Sequence, residues 1–352
     1  MTSSTSHKIL APLAAVAVAL GGLALVERLP APASAATRAA GTPQHAAPAR
    51  ASGEATTRVD GISHQTAAVT STQHRAVLDY WTAERMAAAQ PITSMLEGAL
   101  LPPAAHPAPD GVDHQASPRA DSRGERWTAG GLVTKTTGKV YLTMDGRDFT
   151  CSASVVDSAN KSTVVTAGHC AKDGKGSWAR NWTFVPGHDA GKDPYGRFTA
   201  RDMLVAPQWS READDSYDFA MVVLNKSGGT AVQDEVGSQR ISFGSWTADK
   251  VRDGVQVYTF GYPSASPFDG QDLHYCSGRT RPDTGGTTAN GVRCSMTQGS
   301  SGGPWFTGFD TSTGRGTISS VVSFKYADDR STQYGPRLGA EARKLYDHAA
   351  GL

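Results

Sequence analysis

Beyond Trp127 the apolar positions fall in short runs rich in β-branched residues, among them 139–143, 162–166 and 255–260, and turns of Gly, Asp, Asn and Pro separate them. Such runs predict the strands of an all-β domain over residues 127–352. Helical spacing returns only at the end, where Leu338, Ala342, Leu345 and Tyr346 share a face and predict a helix over 338–349. The first third is patterned differently. His7 and Lys8 precede an uncharged run over 9–26, and Ala33-Ser34-Ala35 then offers small side chains for a cut before Ala36, so 1–35 reads as a secretory signal peptide. An uncleaved anchor competes with this reading because the run approaches spanning length, but its alanines and glycines and the cleavage site favour removal. The expectation is a secreted protein with no stable membrane association. Residues 36–126, rich in Ala, Pro, Thr and His and poor in strand formers, read as a pro-segment. Inside it, 74–90 carries Val77, Tyr80, Trp81 and Ala88 among helix formers and predicts an amphipathic helix ended by Pro91. That helix is either a stray turn in a linker or a device that docks on the β domain, to assist folding or cover its site.

Charge adds little: 34 Lys and Arg against 33 Asp and Glu leave no excess that would point to nucleic acid or an anionic membrane. All four cysteines, Cys151, Cys170, Cys276 and Cys294, lie in the β domain, and an even count in a secreted chain suggests two disulfides with three connectivities open.

Chemistry concentrates in three segments. Gly299-Ser300-Ser301-Gly302-Gly303-Pro304 places Ser301 in a tight turn, where the amides of Gly299 and Ser301 can converge on one oxyanion. Thr163–Thr166 leads through Ala167-Gly168 to His169, an imidazole delivered at a strand's exit that can take and return a hydroxyl proton. Asp218 opens the apolar run 219–224, where burial would let it orient that imidazole, whereas Asp214 and Asp215 belong to a polar, solvated turn. Each segment alone is ordinary. Together they place His169, Asp218 and Ser301 in the order His, Asp, Ser, unlike the order in α/β-hydrolases or subtilisins.

With Ala167-Gly168-His169-Cys170, Asp218-Phe219-Ala220, the serine turn and Val321-Val322-Ser323-Phe324, the chain resembles the chymotrypsin-like serine endopeptidases over roughly 127–349. The resemblance implies two antiparallel six-stranded β-barrels, about 127–230 and 238–337, joined near 225–237 and closed by the C-terminal helix, with the His169, Asp218 and Ser301 triad between them. It implies Cys151 bonded to Cys170 and Cys276 to Cys294, and substrate contacts from Ser295, Ser323, Phe324 and Lys325. It also implies protein or peptide substrates, a monomer that needs no cofactor or metal, and a zymogen whose own pro-segment is a partner. Competing readings are a secreted esterase, a non-catalytic binding barrel and a zinc site made from His169, Cys170, His274 and Cys276.

Departures from the family narrow these expectations. Ser300 stands where many members carry the Asp that pairs with a newly cut N-terminus, so activation is expected through removal or displacement of the pro-segment, with a mature start within 121–128 and Arg119, Arg123 and Arg126 as processing points. Ser295 replaces the Asp of trypsin-like members and Val322 the His of glutamate-specific ones, while Lys325 takes the place of a pocket-wall glycine.

Overall fold

The computed structural model describes residues 57–59, 61–92 and 118–352, with 57–59 as backbone only, so the expected signal peptide lies outside the described residues. The strands are β1 Thr57–Val59, β2 Ile62–Thr66, β3 Gln90–Pro91, β4 Ser122–Arg126, β5 Thr137–Met144, β6 Arg147–Val155, β7 Thr163–Thr166, β8 Arg180–Pro186, β9 Phe198–Val205 and β10 Ala220–Leu224 in the first part. The second part adds β11 Arg240–Ile241, β12 Gln256–Gly261, β13 His274–Arg279, β14 Arg281–Pro282, β15 Asn290–Arg293, β16 Pro304–Asp310, β17 Arg315–Val321, β18 Phe324–Tyr326 and β19 Asp329–Gly335.

Strand alternation explains how the cores form. In β5, Val140, Leu142 and Met144 enter the first apolar core, while Tyr141 on the opposite face packs under Trp81. In β10, Ala220, Val222 and Leu224 face that first core, and Met221 and Val223 face a second, which holds Phe260, Phe306 and Leu345. β7 divides in the same way, Val164 to one side and Val165 to the other, so β7 and β10 form a wall between two cores.

β5 to β10 close on themselves in the order β9-β10-β7-β6-β5-β8, with β8 returning to β9, which gives a six-stranded antiparallel barrel. The second part forms a six-stranded sheet, β11-β17-β16-β12-β13-β4, and a four-stranded sheet, β14-β15-β19-β18. β4 belongs to this body although it precedes residue 127, and Ser122 is fully buried there, its hydroxyl donating to the Tyr275 carbonyl. The C-terminal helix spans Ala340–Gly351 instead of 338–349, because Gly339 caps it and Leu338 is buried ahead of it; Ala342, Leu345 and Ala349 form its inner face.

The N-terminal segment departs most from expectation. The single helix over 74–90 is two, α1 Ser71–Tyr80 and α2 Ala83–Ala88. Thr70 starts α1 with a capping box completed by Gln73, and Thr82 caps α2 by accepting from the Arg85 amide, so a second start signal breaks the periodic run at Trp81. Pro91 lies in β3, which runs parallel to β6. β2 extends the barrel's sheet along β9 although Ile62 is the one aliphatic residue in it; the buried His64 and Asp202 pair across the ladder at 2.9 Å. Among the described residues no helix is long and apolar enough to cross a membrane.

Candidate active site

Register brings the first two site residues together. β7 and β10 pair Thr166 with Ala220, so the single turn Gly168–Cys170 that follows β7 faces the residues that precede β10. Asp218 thereby meets His169 twice: Oδ1 accepts the His169 backbone N–H at 2.7 Å, and Oδ2 accepts from Nδ1 at 2.7 Å. Ser323 supplies a further donor to Oδ2 at 2.5 Å. Gly168 is needed here, since a Cβ would stand 2.9 Å from both Asp218 Oδ1 and Trp209 Cδ1. The Cys151–Cys170 disulfide and the bond from Trp182 Nε1 to the Cys170 carbonyl fix the turn from behind.

Asp218 and His169 are 1% and 5% exposed. Burial would raise the Asp218 carboxyl, but the His169 charge and the hydrogen bonds from His169 and Ser323 outweigh it and hold the group below its ordinary value. Burial likewise pushes His169 down, and the charge and hydrogen bond of Asp218, with Asp215 and Asp173 farther off, reverse this and place the imidazole above its ordinary value. Asp215 lies on a solvent-reached turn, as the polar run predicts, yet protein crowding around its carboxyl and the Asp218 charge push it up to about 6.

Ser301 sits against the exit of β7. Its carbonyl accepts the Ser152 amide at 2.7 Å and lies 3.6 Å from Cys170 Sγ. Gly299 has φ +95°, and a Cβ there would come 2.7 Å from the Tyr262 carbonyl oxygen; a Cβ on Gly302, at φ +83°, would overlap Thr166 Oγ1 and the Ser152 carbonyl. Ser152 ties the turn to β6 a second time, its hydroxyl donating to the Gly299 carbonyl at 2.9 Å. Among the described residues the N–H groups of Gly299 and Ser301 donate to no protein acceptor, and His169 Nε2, although buried, has no protein partner.

The remaining predicted residues are dispersed in role. Ser323 turns its hydroxyl to Asp218, a contact that links positions 105 apart in sequence and that no local pattern announces. Ser295 bonds the Arg123 carbonyl on β4 through its amide and its hydroxyl. Lys325 caps two backbone carbonyls, those of Cys294 at 2.6 Å and Arg330 at 2.8 Å, so its ammonium is held by the loop. Phe324 stacks on Tyr334 with centroids 5.2 Å apart. Cysteines pair 151–170 and 276–294, as the resemblance implied, which removes the thiolates the zinc reading required; His274 bonds the Gly124 carbonyl at 2.9 Å. Trp209, whose ring packs 6.5 Å from that of His169, and Ser152 were not foreseen.

Comparison with known proteins agrees with this architecture. The trypsin family model matches residues 126–336. The crystal structure of the thermostable serine protease AL20 from an extremophilic microorganism is 39% identical, covers 62% of this chain and 99% of that one, and superposes with a TM-score of 0.58. Protease Anisep from Arthrobacter nicotinovorans is 40% identical over 62% of this chain and 96% of its own, also at 0.58. A Glu endopeptidase bound to MPD, 17% identical with 66% and 98% coverage and a TM-score of 0.52, shares the fold. An extracellular metalloprotease of Bacillus subtilis (strain 168) is 36% identical over 73 residues, so this chain spans only 23% of that relative's length. With a family match across more than half of its residues, lying over the same barrel and serine turn, the chain belongs to the trypsin family and is a serine-type endopeptidase.

Proposed function

We propose that the protein cuts peptide bonds through an acyl-enzyme formed on Ser301, with His169 as general base and acid and Asp218 as the carboxylate that orients it. The observation that carries this reading is the two-point hold of Asp218 on His169, which fixes the ring and leaves Nε2 as its one unengaged nitrogen. In the first step Ser301 Oγ bonds to the carbonyl carbon while Nε2 takes its proton. The imidazolium that results is stabilised by Asp218, and the N–H groups of Gly299 and Ser301 receive the oxyanion. The C–N bond then breaks as Nε2 returns the proton to the amine, and water repeats the sequence to release the acid.

The same reading extends to a secreted zymogen: 1–35 a signal peptide, and 36 onward a pro-segment whose removal activates the enzyme. β4 is woven into the second sheet, which supports a mature start at the early end of the 121–128 window, near Asp121. Ser300 donates its hydroxyl to the Thr297 carbonyl at 2.7 Å, so the turn is closed locally without an N-terminal ammonium. Ser301→Ala and His169→Ala should each lower peptide turnover on the order of 10⁴-fold or more with the fold intact. Mass spectrometry should find a phosphonylating probe on Ser301; near wild-type cleavage of a peptide library by Ser301→Ala would refute the assignment.

A further inference from the structure

We propose that Lys139 and Thr297 are positioning residues for the oxyanion donor of Gly299: Lys139 latches the loop 262–270 to the first barrel, and that loop, tied by Thr297 to the entrance of the serine turn, aims the Gly299 N–H. The proposal rests on the reading that the amides of Gly299 and Ser301 receive the oxyanion. Two sides of the turn are fixed by other strands and their exits, Gly299 and Ser301 by Ser152 on β6, Gly302 and Gly303 by Val322. Its entrance is held by the loop. The Ser264 amide donates to the Gln298 carbonyl at 2.7 Å, and the Thr297 hydroxyl donates to the Ala265 carbonyl at 2.7 Å. A planar trans peptide unit carries its C=O and N–H on opposite sides, so the bond that fixes the Gln298 carbonyl also sets where the Gly299 N–H points. Ser264 leans on the same unit with its side chain, since a Cβ on Gly299 would stand 2.6 Å from Ser264 Oγ.

The loop needs an anchor of its own, because Ser266, Pro267 and Asp269 in it are exposed. Lys139 supplies one from the first barrel. It stands on β5 in register with Ser152, is 4% exposed, and donates from Nζ to the Gly270 carbonyl at 2.9 Å. A Cβ on Gly270, at φ +73°, would strike the Ser264 hydroxyl and stand 2.8 Å from Lys139 Nζ, so the ammonium, Gly270 and Ser264 pack together with no room for another side chain. Burial brings the ammonium down to about 8 against the pull of Asp269, which leaves it charged near neutral pH and its bond to Gly270 charge-assisted. Contacts thus run without a gap from β5 through Gly270 and Ser264 to the peptide unit of Gln298 and Gly299. Removing the ammonium takes the charged donor from the Gly270 carbonyl and frees the loop to shift. A small displacement of the Gly299 N–H then weakens its hold on an oxyanion while the contacts that bind the uncut peptide stay in place.

Wild type, Lys139→Met and Thr297→Val are compared on kcat and KM for a peptide the enzyme cleaves, and on affinity for the matching peptide aldehyde and peptide alcohol. In the aldehyde complex Ser301 Oγ bonds to the carbonyl carbon and its proton passes to His169 Nε2, which leaves an oxyanion before the Gly299 and Ser301 amides; the alcohol cannot form it. Lys139→Met should lower kcat and aldehyde affinity together, each roughly tenfold or more, with KM and alcohol affinity changed less than about twofold. Thr297→Val should fall in the same sense by a smaller factor, and Thr297→Ser, which keeps the hydroxyl, should recover wild-type values. Urea midpoints identify a variant that has lost its fold, and Thr297→Val carries the comparison if Lys139→Met is lost. A folded variant with wild-type kcat and aldehyde affinity would overturn the proposal, as would an equal loss for aldehyde and alcohol, which would place the defect in the substrate cleft. An aldehyde that binds wild type no better than the alcohol would overturn the oxyanion reading, and this proposal with it.

Discussion

Asp218 and His169 titrate in opposite directions, and both displacements can be measured. Because the imidazole lies above its ordinary value of 6.5, the acid limb of kcat/KM should have its midpoint above 6.5, and Asp218→Asn should move it down while lowering the rate. The stability linked to the pair has a defined window. The His169 contribution is complete below 6.5 and fades as pH rises through its raised folded value, whereas the Asp218 contribution holds above 3.8 and fades as pH falls through its lowered one. Urea midpoints of wild type and His169→Gln should therefore diverge most between those limits. Ser323→Ala removes a donor to a charged acceptor, an interaction worth about 1.5–3 kcal/mol, so kcat should drop roughly tenfold or more and Ser323→Thr should recover most of it. The candidate residues His169, Asp218 and Ser301 stand out in the sequence because each sits in a short signature and the signatures keep a distinctive order. The part of Ser323 in orienting Asp218 does not, since its evidence is a contact across the fold and its sequence context spoke only for a substrate-binding strand.

At the level of elements, the serine turn tolerates no side chain where it meets β7. Gly302→Ala would set a methyl group against Thr166 and Ser152 at a backbone angle L-residues avoid, and the outcome expected is loss of soluble protein or a fall in the urea midpoint equivalent to several kcal/mol, about 3 or more. Trp81 is the largest buried side chain among the several anchors of the N-terminal segment. Trp81 packs against Tyr141 and Val185, and truncating such a residue costs about 3–5 kcal/mol, so Trp81→Ala should make residues 57–92 the first site of limited proteolysis while the barrel stays resistant. Strand β5 could be read from its run over 139–143, whose apolar alternation the structure keeps. β2 could not, because Ser63, His64, Gln65 and Thr66 lack any apolar alternation and are held by pairing with β9 and by Asp202. The break between α1 and α2 was written in Thr82 all along, but the helical spacing of Tyr80, Trp81 and Ala88 masked it.

For the molecule as a whole, the disulfides belong one to each part, Cys151–Cys170 beneath the His169 turn and Cys276–Cys294 between β13 and the end of β15. Thiol titration of folded protein should find no free group, and replacing either pair with Ser should cost about 3 kcal/mol, given loops of 19 and 18 residues. Loss of the first pair should depress turnover more than loss of the second. The bipartite plan was legible only through the family likeness, since strand runs and turns do not say which strands neighbour which. The ladder, by contrast, shows where the halves meet: Ser152 on the first barrel grips Ser301 and Gly299, which belong to the second part, while Ser323 of the second part completes Asp218 of the first. On the proposed assignment neither half holds a working site by itself, since His169 and Asp218 come from the first part and Ser301 from the second. On that assignment a chain still in the course of folding is prey and never predator, and hydrolytic power waits for the two parts to be joined.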